Sequence, residues 1–201
     1  MALVVGNTAG STIALSEDKI RGYRNFATKI WNIARFVLMN KPQINADQDA
    51  DKRRKIGDNP LRNLHLSAIT KEDKKNLKEL AEIKKEITKH IEKFEFHLAA
   101  EKIYHYVWHT FADKIVESYK PRLRQASAVT KVLSNKSDGQ ARLRPTKEGQ
   151  QLSANDTAAA YSTLEEIFTE SLKMLHPFMP FITEELYGKF QPDKMLMIEP
   201  W

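Results

Sequence analysis

Residues 20 to 39 carry apolar side chains at a spacing so regular that a packed helix is the one element that uses all of them. At about 100° per residue, Ile20, Tyr23, Phe26, Ala27, Ile30, Ile33, Ala34, Val37 and Leu38 fall within one arc, a core-facing stripe. Ser16 is the expected N-cap. Glu17 and Asp18 place negative charge on the first turn, where the helix dipole favours it, and Pro42 helps to end the element. The spacing therefore predicts a helix from about Ser16 to Asn40.

The same period returns downstream. Thr70 and Asp73 have capping-box spacing, with Asp in place of the usual Glu, and open a second helix. On it Leu77, Leu80, Ile87, Ile91 and Phe94 recur on a lysine- and glutamate-rich background whose charges read as a solvated face. A third helix from about Glu95 to Lys120 holds Tyr104, Tyr106, Trp108, Phe111 and Tyr119, and is expected to be the most buried of the set. A fourth follows from about Asp156 to Leu175, then the punctuated HPFMPF and a short helix through Thr183, Glu184, Glu185, Leu186 and Tyr187. The polar stretches between helices, about 41–69 and 134–155, read as exposed connections, the second of them mobile. No strand-period segment stands out, and seven glycines in 201 residues are few. The expected architecture is an all-α helical bundle of four to five helices.

Composition narrows the function classes. With no cysteine, disulfide scaffolds, thiolate metal sites and cysteine nucleophiles are excluded. No apolar run is long enough to cross a bilayer, and the mildly apolar opening MALVVGNTAGSTIAL has no basic residue before it, which argues against a signal peptide. A soluble, cytoplasmic protein without membrane partner is expected. The net charge of +6 is compatible with a nucleic-acid partner, and what matters is whether the cations share a face.

On the first helix they do. Arg21, Arg24, Asn25, Thr28, Lys29, Asn32 and Arg35 occupy the arc opposite the apolar stripe, with no carboxylate among them. Cations, amides and a hydroxyl are the inventory that touches phosphates and base edges. Phe36 falls on the same arc, where an aromatic side chain can stack an unpaired base. The competing reading is that Phe36 covers a neighbouring loop and the cations confer solubility. Trp31 lies at the border between the faces and is read as core.

Other candidates carry less. His97, Glu101, His105, His109, Asp113 and Glu117 follow at four-residue intervals, but such a row drifts about 40° per step around an α-helix, and HExxH is absent. Hydrogen bonds and ion pairs between helices account for it more simply than a metal site does. Adjacent Glu184 and Glu185 point in different directions and are read as serving the helix dipole. There is no Gly-rich phosphate loop and no nucleophile elbow, so no catalytic residue is assigned. From the residues alone, an RNA-binding helix, a protein-interaction bundle and a small metal-dependent hydrolase on the histidine row all stay open.

GYRNFATKIWNIARFVL, residues 22 to 38, resembles the first helix of the anticodon-binding domain of valyl-tRNA synthetases, with the pattern R-N-F-x-N-K-(L/I)-W-N-A-x-R-F. Arg24, Asn25, Phe26, Lys29, Trp31, Asn32, Arg35 and Phe36 match; Thr28 and Ile33 depart from it. FEFHLAAEKIYHYVWHTFADKIVESYKPRL from Phe94 and LKMLHPFMPFITEELYGKF from Leu172 are similar to two further blocks of that family, in the same order, with Tyr187 where the family has Trp. The KIWNIARF run is closer to the valine enzymes than to the isoleucyl or leucyl ones. The resemblance implies a bundle that binds the anticodon stem-loop of tRNA(Val), not DNA, with no cofactor or metal of its own; a monomer is the default expectation. ATP-dependent attachment of valine would occur in a catalytic domain whose H-I-G-H and K-M-S-K-S signatures are absent here, as is the editing domain. It also implies a division into a junction from that core at 1–15, the bundle at 16–190 and the start of a C-terminal extension at 191–201. Lys29 and Asn32 are the expected base-edge contacts and Phe36 the stacking platform. Arg21, Arg24 and Arg35 would be phosphate or positioning contacts, unless Arg24 or Arg35 pairs with acidic residues of the bundle, and Asn25 is a further expected tRNA-binding residue.

Overall fold

A computed structural model describes residues 1–6, 10, 12, 16–41, 69–123 and 154–201. Among them every regular element is helical and no strand occurs. α1 spans Glu17–Met39 and α2 Lys71–Glu92. α3 begins at Phe96, is α-helical to His105, widens into a π-helix over Tyr106–Ile115, and returns to α-geometry over 116–123. α4 spans Ala154–Leu175 and α5 Pro180–Phe190, followed by a 3₁₀ turn at Leu196–Ile198. No helix is long and apolar enough to cross a membrane among the described residues. The two polar connections fall almost wholly outside the described residues.

The local signals act where they were expected. Ser16 accepts a hydrogen bond from the Lys19 amide through its side chain, and Thr70 and Asp73 form a full capping box. Asp73 does more than cap. Fully buried, its carboxylate also accepts from Arg122 Nη1 at 2.8 Å, from Arg122 Nη2 at 3.2 Å and from the Tyr119 hydroxyl. This fastens the start of α2 to the end of α3. At the other end of the pair, Lys102 bonds Glu86, so α2 and α3 run antiparallel. α4 runs beside α2, with Lys84 Nζ 2.7 Å from Glu170, and packs Phe168 on Phe111. α1 lies parallel to α3 through Tyr23–Tyr104, Phe26–Trp108 and Lys29–Asp113. One continuous core results, centred on Phe26, Ile30, Ile103, Phe111, Leu164 and Phe168.

Four expectations are corrected. α4, not α3, is the most buried helix: along 156–175 only Glu166 is exposed. Ile20 is 50% exposed, because the core stripe of α1 begins at Tyr23 where α3 first meets it. Phe94 is not part of the α2 stripe; it follows the helix end and is 78% exposed. Trp31 is 36% exposed rather than core, with the Lys189 ammonium 5.4 Å from its ring centroid. The glutamates of α5 also differ from expectation. Glu184 does not face its own helix start but accepts hydrogen bonds from the Leu196 and Met197 amides at 2.8 and 3.3 Å, while Glu185 pairs with Lys189. Glu184 thereby holds the C-terminal tail against the bundle, where Leu196 is buried and Trp201 Nε1 donates to Thr88 at 2.7 Å.

Candidate nucleic-acid interface

The polar arc of α1 does not face open solvent along its whole length. Its lower half forms one wall of a groove whose other wall is α3. Asn25, Lys29, Asn32 and Phe36 stand one helical turn apart on α1, at the i, i+4, i+7 and i+11 spacing that aligns side chains on one face. Asp113, Glu117 and Lys120 face them from α3, and Ile33, Ala112 and Val116 form an apolar floor. Lys29 reaches across to both Trp108 and Asp113, which lie five residues apart, about one turn of the wide π-segment.

Each predicted contact residue takes a distinct place. Lys29 is braced: its ammonium lies 2.7 Å from Asp113 Oδ1, 3.4 Å from the Trp108 carbonyl and 4.1 Å from the centroid of the Trp108 indole. Two of its three N–H donors are thus occupied within the protein. Asn25 and Asn32 are exposed, and their amides have no hydrogen-bond partner among the described residues. Thr28 donates its hydroxyl back to the Arg24 carbonyl at 3.1 Å and so offers little to a ligand. Phe36 is half-buried, packing on the core while lining the groove, and its carbonyl accepts from Asn40 Nδ2 at 2.7 Å. Arg24 and Arg35 are exposed and unpaired among the described residues. Arg21 reaches Asp18 at 3.7 Å, both largely in solvent, a pair worth little.

This arrangement sorts the charges. Inside the groove Lys29 is matched by Asp113, and Lys120 by its hydrogen bond to Glu117, so the lining is close to neutral. The unpaired cations stand outside it, on the exposed face of α1. A neutral cleft with free amides and a half-exposed ring suits base edges and faces, whereas phosphates are better met by the arginines.

Sequence reasoning missed the α3 wall. In the sequence Asp113 and Glu117 stand out only as members of the histidine row, and nothing local announces a pairing across 84 positions. That row forms one of the expected bridges between helices, Asp113 to Lys29. His105–Glu101 and His109–Asp113 are loose contacts of 3.9 Å within α3, His105 and His109 stack on each other, and among the described residues no other member of the row makes an ion pair to another helix. Among the described residues no group of three or more such side chains is placed to hold a metal ion.

Residues 73–201 match the sequence pattern of a family described as the anticodon-binding domain of tRNA ligases. The chain belongs to this family. The match takes in the α3 wall of the groove; α1 lies before it, but inside the similarity to whole relatives. The chain is 32% identical over 187 residues to the valine–tRNA ligase of Aquifex aeolicus, covering 93% of this chain and 14% of that protein. Identity to the valine–tRNA ligase of Clostridium tetani is 31% over 200 residues, or 99% of this chain and 18% of the relative. The Clostridium acetobutylicum enzyme of the same name is 30% identical over 200 residues. This anticodon-binding chain therefore spans less than a fifth of the length of these relatives.

Proposed function

We propose that the chain binds the anticodon stem-loop of tRNA(Val), as the recognition domain of a cytoplasmic valine–tRNA ligase that attaches valine to tRNA(Val) with ATP in a separate catalytic domain. The observation that carries this reading is the groove itself, neutral and amide-bearing inside and bordered by unpaired arginines. In this proposal Asn32 makes the principal base-edge contact, with Asn25 beside it. Lys29 presents its remaining N–H from a position fixed by Asp113, and Phe36 stacks a base unpaired in the loop. Arg21, Arg24 and Arg35 hold phosphates. The domain acts as a monomer, with residues 1–15 as the junction to the catalytic part and 191–201 leading into a C-terminal extension. Its contribution to catalysis is selection and placement: binding energy at the loop orients the distant acceptor end.

Equilibrium binding to a tRNA(Val) anticodon stem-loop and to an anticodon-scrambled control, at two salt concentrations, tests this. Preference for the cognate loop is expected to survive the higher salt, because base contacts release few counterions. Asn32→Ala should cost about 1–3 kcal/mol on the cognate RNA and narrow the gap to the control. Equal, salt-sensitive binding to both RNAs would refute the assignment.

A further inference from the structure

The turn between α2 and α3 spends stability on a feature that the fold does not use. α2 ends in a Schellman motif: the Phe94 amide donates to the Ile91 carbonyl and the Glu95 amide to the His90 carbonyl, both at 2.9 Å. The residue at the motif's left-handed position is normally glycine or asparagine, because a side chain there meets the carbonyl that follows it. Here Phe94 occupies it, at φ 59°. The residue is 78% exposed, and its ring meets that of Phe96, a residue 44% exposed, edge-to-face at 6.1 Å between centroids. A strained backbone and a solvated aromatic pair are two costs at one residue, and neither is returned by core packing.

The surroundings indicate what the rings meet. Glu95 is held by His90 at 2.7 Å and Glu86 by Lys102, whereas Lys89, Lys93 and Glu92 make no ion pair among the described residues, the two lysines acting on Glu86 and Glu95 through longer-range attraction. Exposed aromatics beside ammonium groups outside any short ion pair are the combination that stacks unpaired bases and holds the adjoining phosphates. The position agrees. α1 and α3 are parallel, so the unpaired Arg35 and Arg24, and then Arg21, lead from the groove towards the end of the bundle where this turn projects. Phe96 lies 16 residues before Ala112, the first α3 residue of the groove wall, so the rings lie roughly 20 Å from the groove along the helix.

We propose that Phe94 and Phe96 form a second RNA contact, stacking on an unpaired base of the same tRNA outside the segment held in the groove. This rests on the RNA-binding reading above but is tested separately from it. The assay compares affinities of the chain for full-length tRNA(Val) and for the isolated anticodon stem-loop. Phe94→Gly is expected to weaken binding to the full tRNA roughly five-fold or more while leaving the stem-loop unaffected. Phe94→Trp should retain the wild-type affinity. Because glycine relieves the left-handed strain, the melting temperature of Phe94→Gly should rise by about 2–4 °C. Unchanged affinity for the full tRNA would overturn the proposal and reassign the rings to a protein contact. Equal weakening on both RNAs, or a lower melting temperature, would overturn it by showing that the ring supports the fold. Failure of the wild-type chain to prefer the cognate stem-loop would refute anticodon reading, whereas the dependence of full-tRNA binding on Phe94 is read independently.

Discussion

Replacing Asp73 by alanine should be among the most damaging single changes available to this domain. The carboxylate has no solvent exposure, and Arg122, its ionic partner, has a side chain only 16% exposed. Truncation removes both guanidinium bonds, leaves the buried Tyr119 hydroxyl without its acceptor and breaks the cap on the Thr70 amide. Removing one partner of a buried ion pair costs about 3–5 kcal/mol. Arg122 can turn part of its charge towards water, so the lower part of that range, about 3 kcal/mol, is expected. For a chain of this size that corresponds to a fall in melting temperature of about 6–12 °C. Asp73→Asn keeps the shape and an acceptor for the cap, and should cost less.

The pH dependence supplies the control. Burial alone pushes the Asp73 carboxyl up, but the bonds from Arg122, Tyr119 and Thr70 outweigh it and hold the group below its ordinary value of 3.8. A depressed carboxylate contributes stability that is complete above the unfolded value and is lost as pH falls through the folded one. The advantage of wild type over Asp73→Asn, measured by urea unfolding followed by circular dichroism, should therefore be full at pH 7 and shrink below about pH 4. A cost for Asp73→Ala under about 1 kcal/mol at pH 7, or an advantage over Asp73→Asn that persists undiminished at pH 2, would refute the reasoning. The effect reaches the groove as well, since Tyr119 and Arg122 flank Lys120 on its α3 wall.

Two further outcomes are expected. Arg24→Gln with Arg35→Gln should lower the slope of log affinity against log salt by roughly 1–2 while sparing the preference for the cognate loop, as counterion-release titrations would show; loss of preference would make them base readers. Gly22 sits exposed inside α1 with nothing within 4 Å of where a Cβ would lie, so Gly22→Ala should stabilise the chain by about 0.5–1 kcal/mol in chemical denaturation; a loss of stability would mean that the position serves a purpose beyond the helix.

What was legible in the sequence was what the chain encodes over a few residues. Ser16 and Thr70 with Asp73 identified helix starts because a cap is a contact between neighbours three positions apart. The polar arc of α1 was visible because a single helix fixes the relative directions of its own side chains. Ile20 escaped the same reasoning: a wheel states which way a side chain points but not how far the partner helix extends. The brace on Lys29 could not be read, since Asp113 and the Trp108 carbonyl are distant in sequence and brought close by packing. Phe94 misled for the opposite reason. Its spacing continues the α2 stripe, and only the left-handed backbone at the turn removes it from that face. Glu184, one turn from its helix start, satisfied the simple electrostatic expectation until the tail it binds was in place.

The π-segment of α3 has a consequence for how this domain compares with other proteins of the same architecture. Trp108 and Asp113, both reached by Lys29, are five residues apart there, where an α-helix would use about four for the same turn. A counterpart with an ordinary α-helix there would bring the same groups into register with fewer residues. Aligned against this chain it should show a short gap between positions 106 and 115, well inside a helix, where insertions are normally not tolerated. The gap would mark not a loop but a change of helical gauge, and its presence would indicate whether a lysine equivalent to Lys29 has a carboxylate to meet.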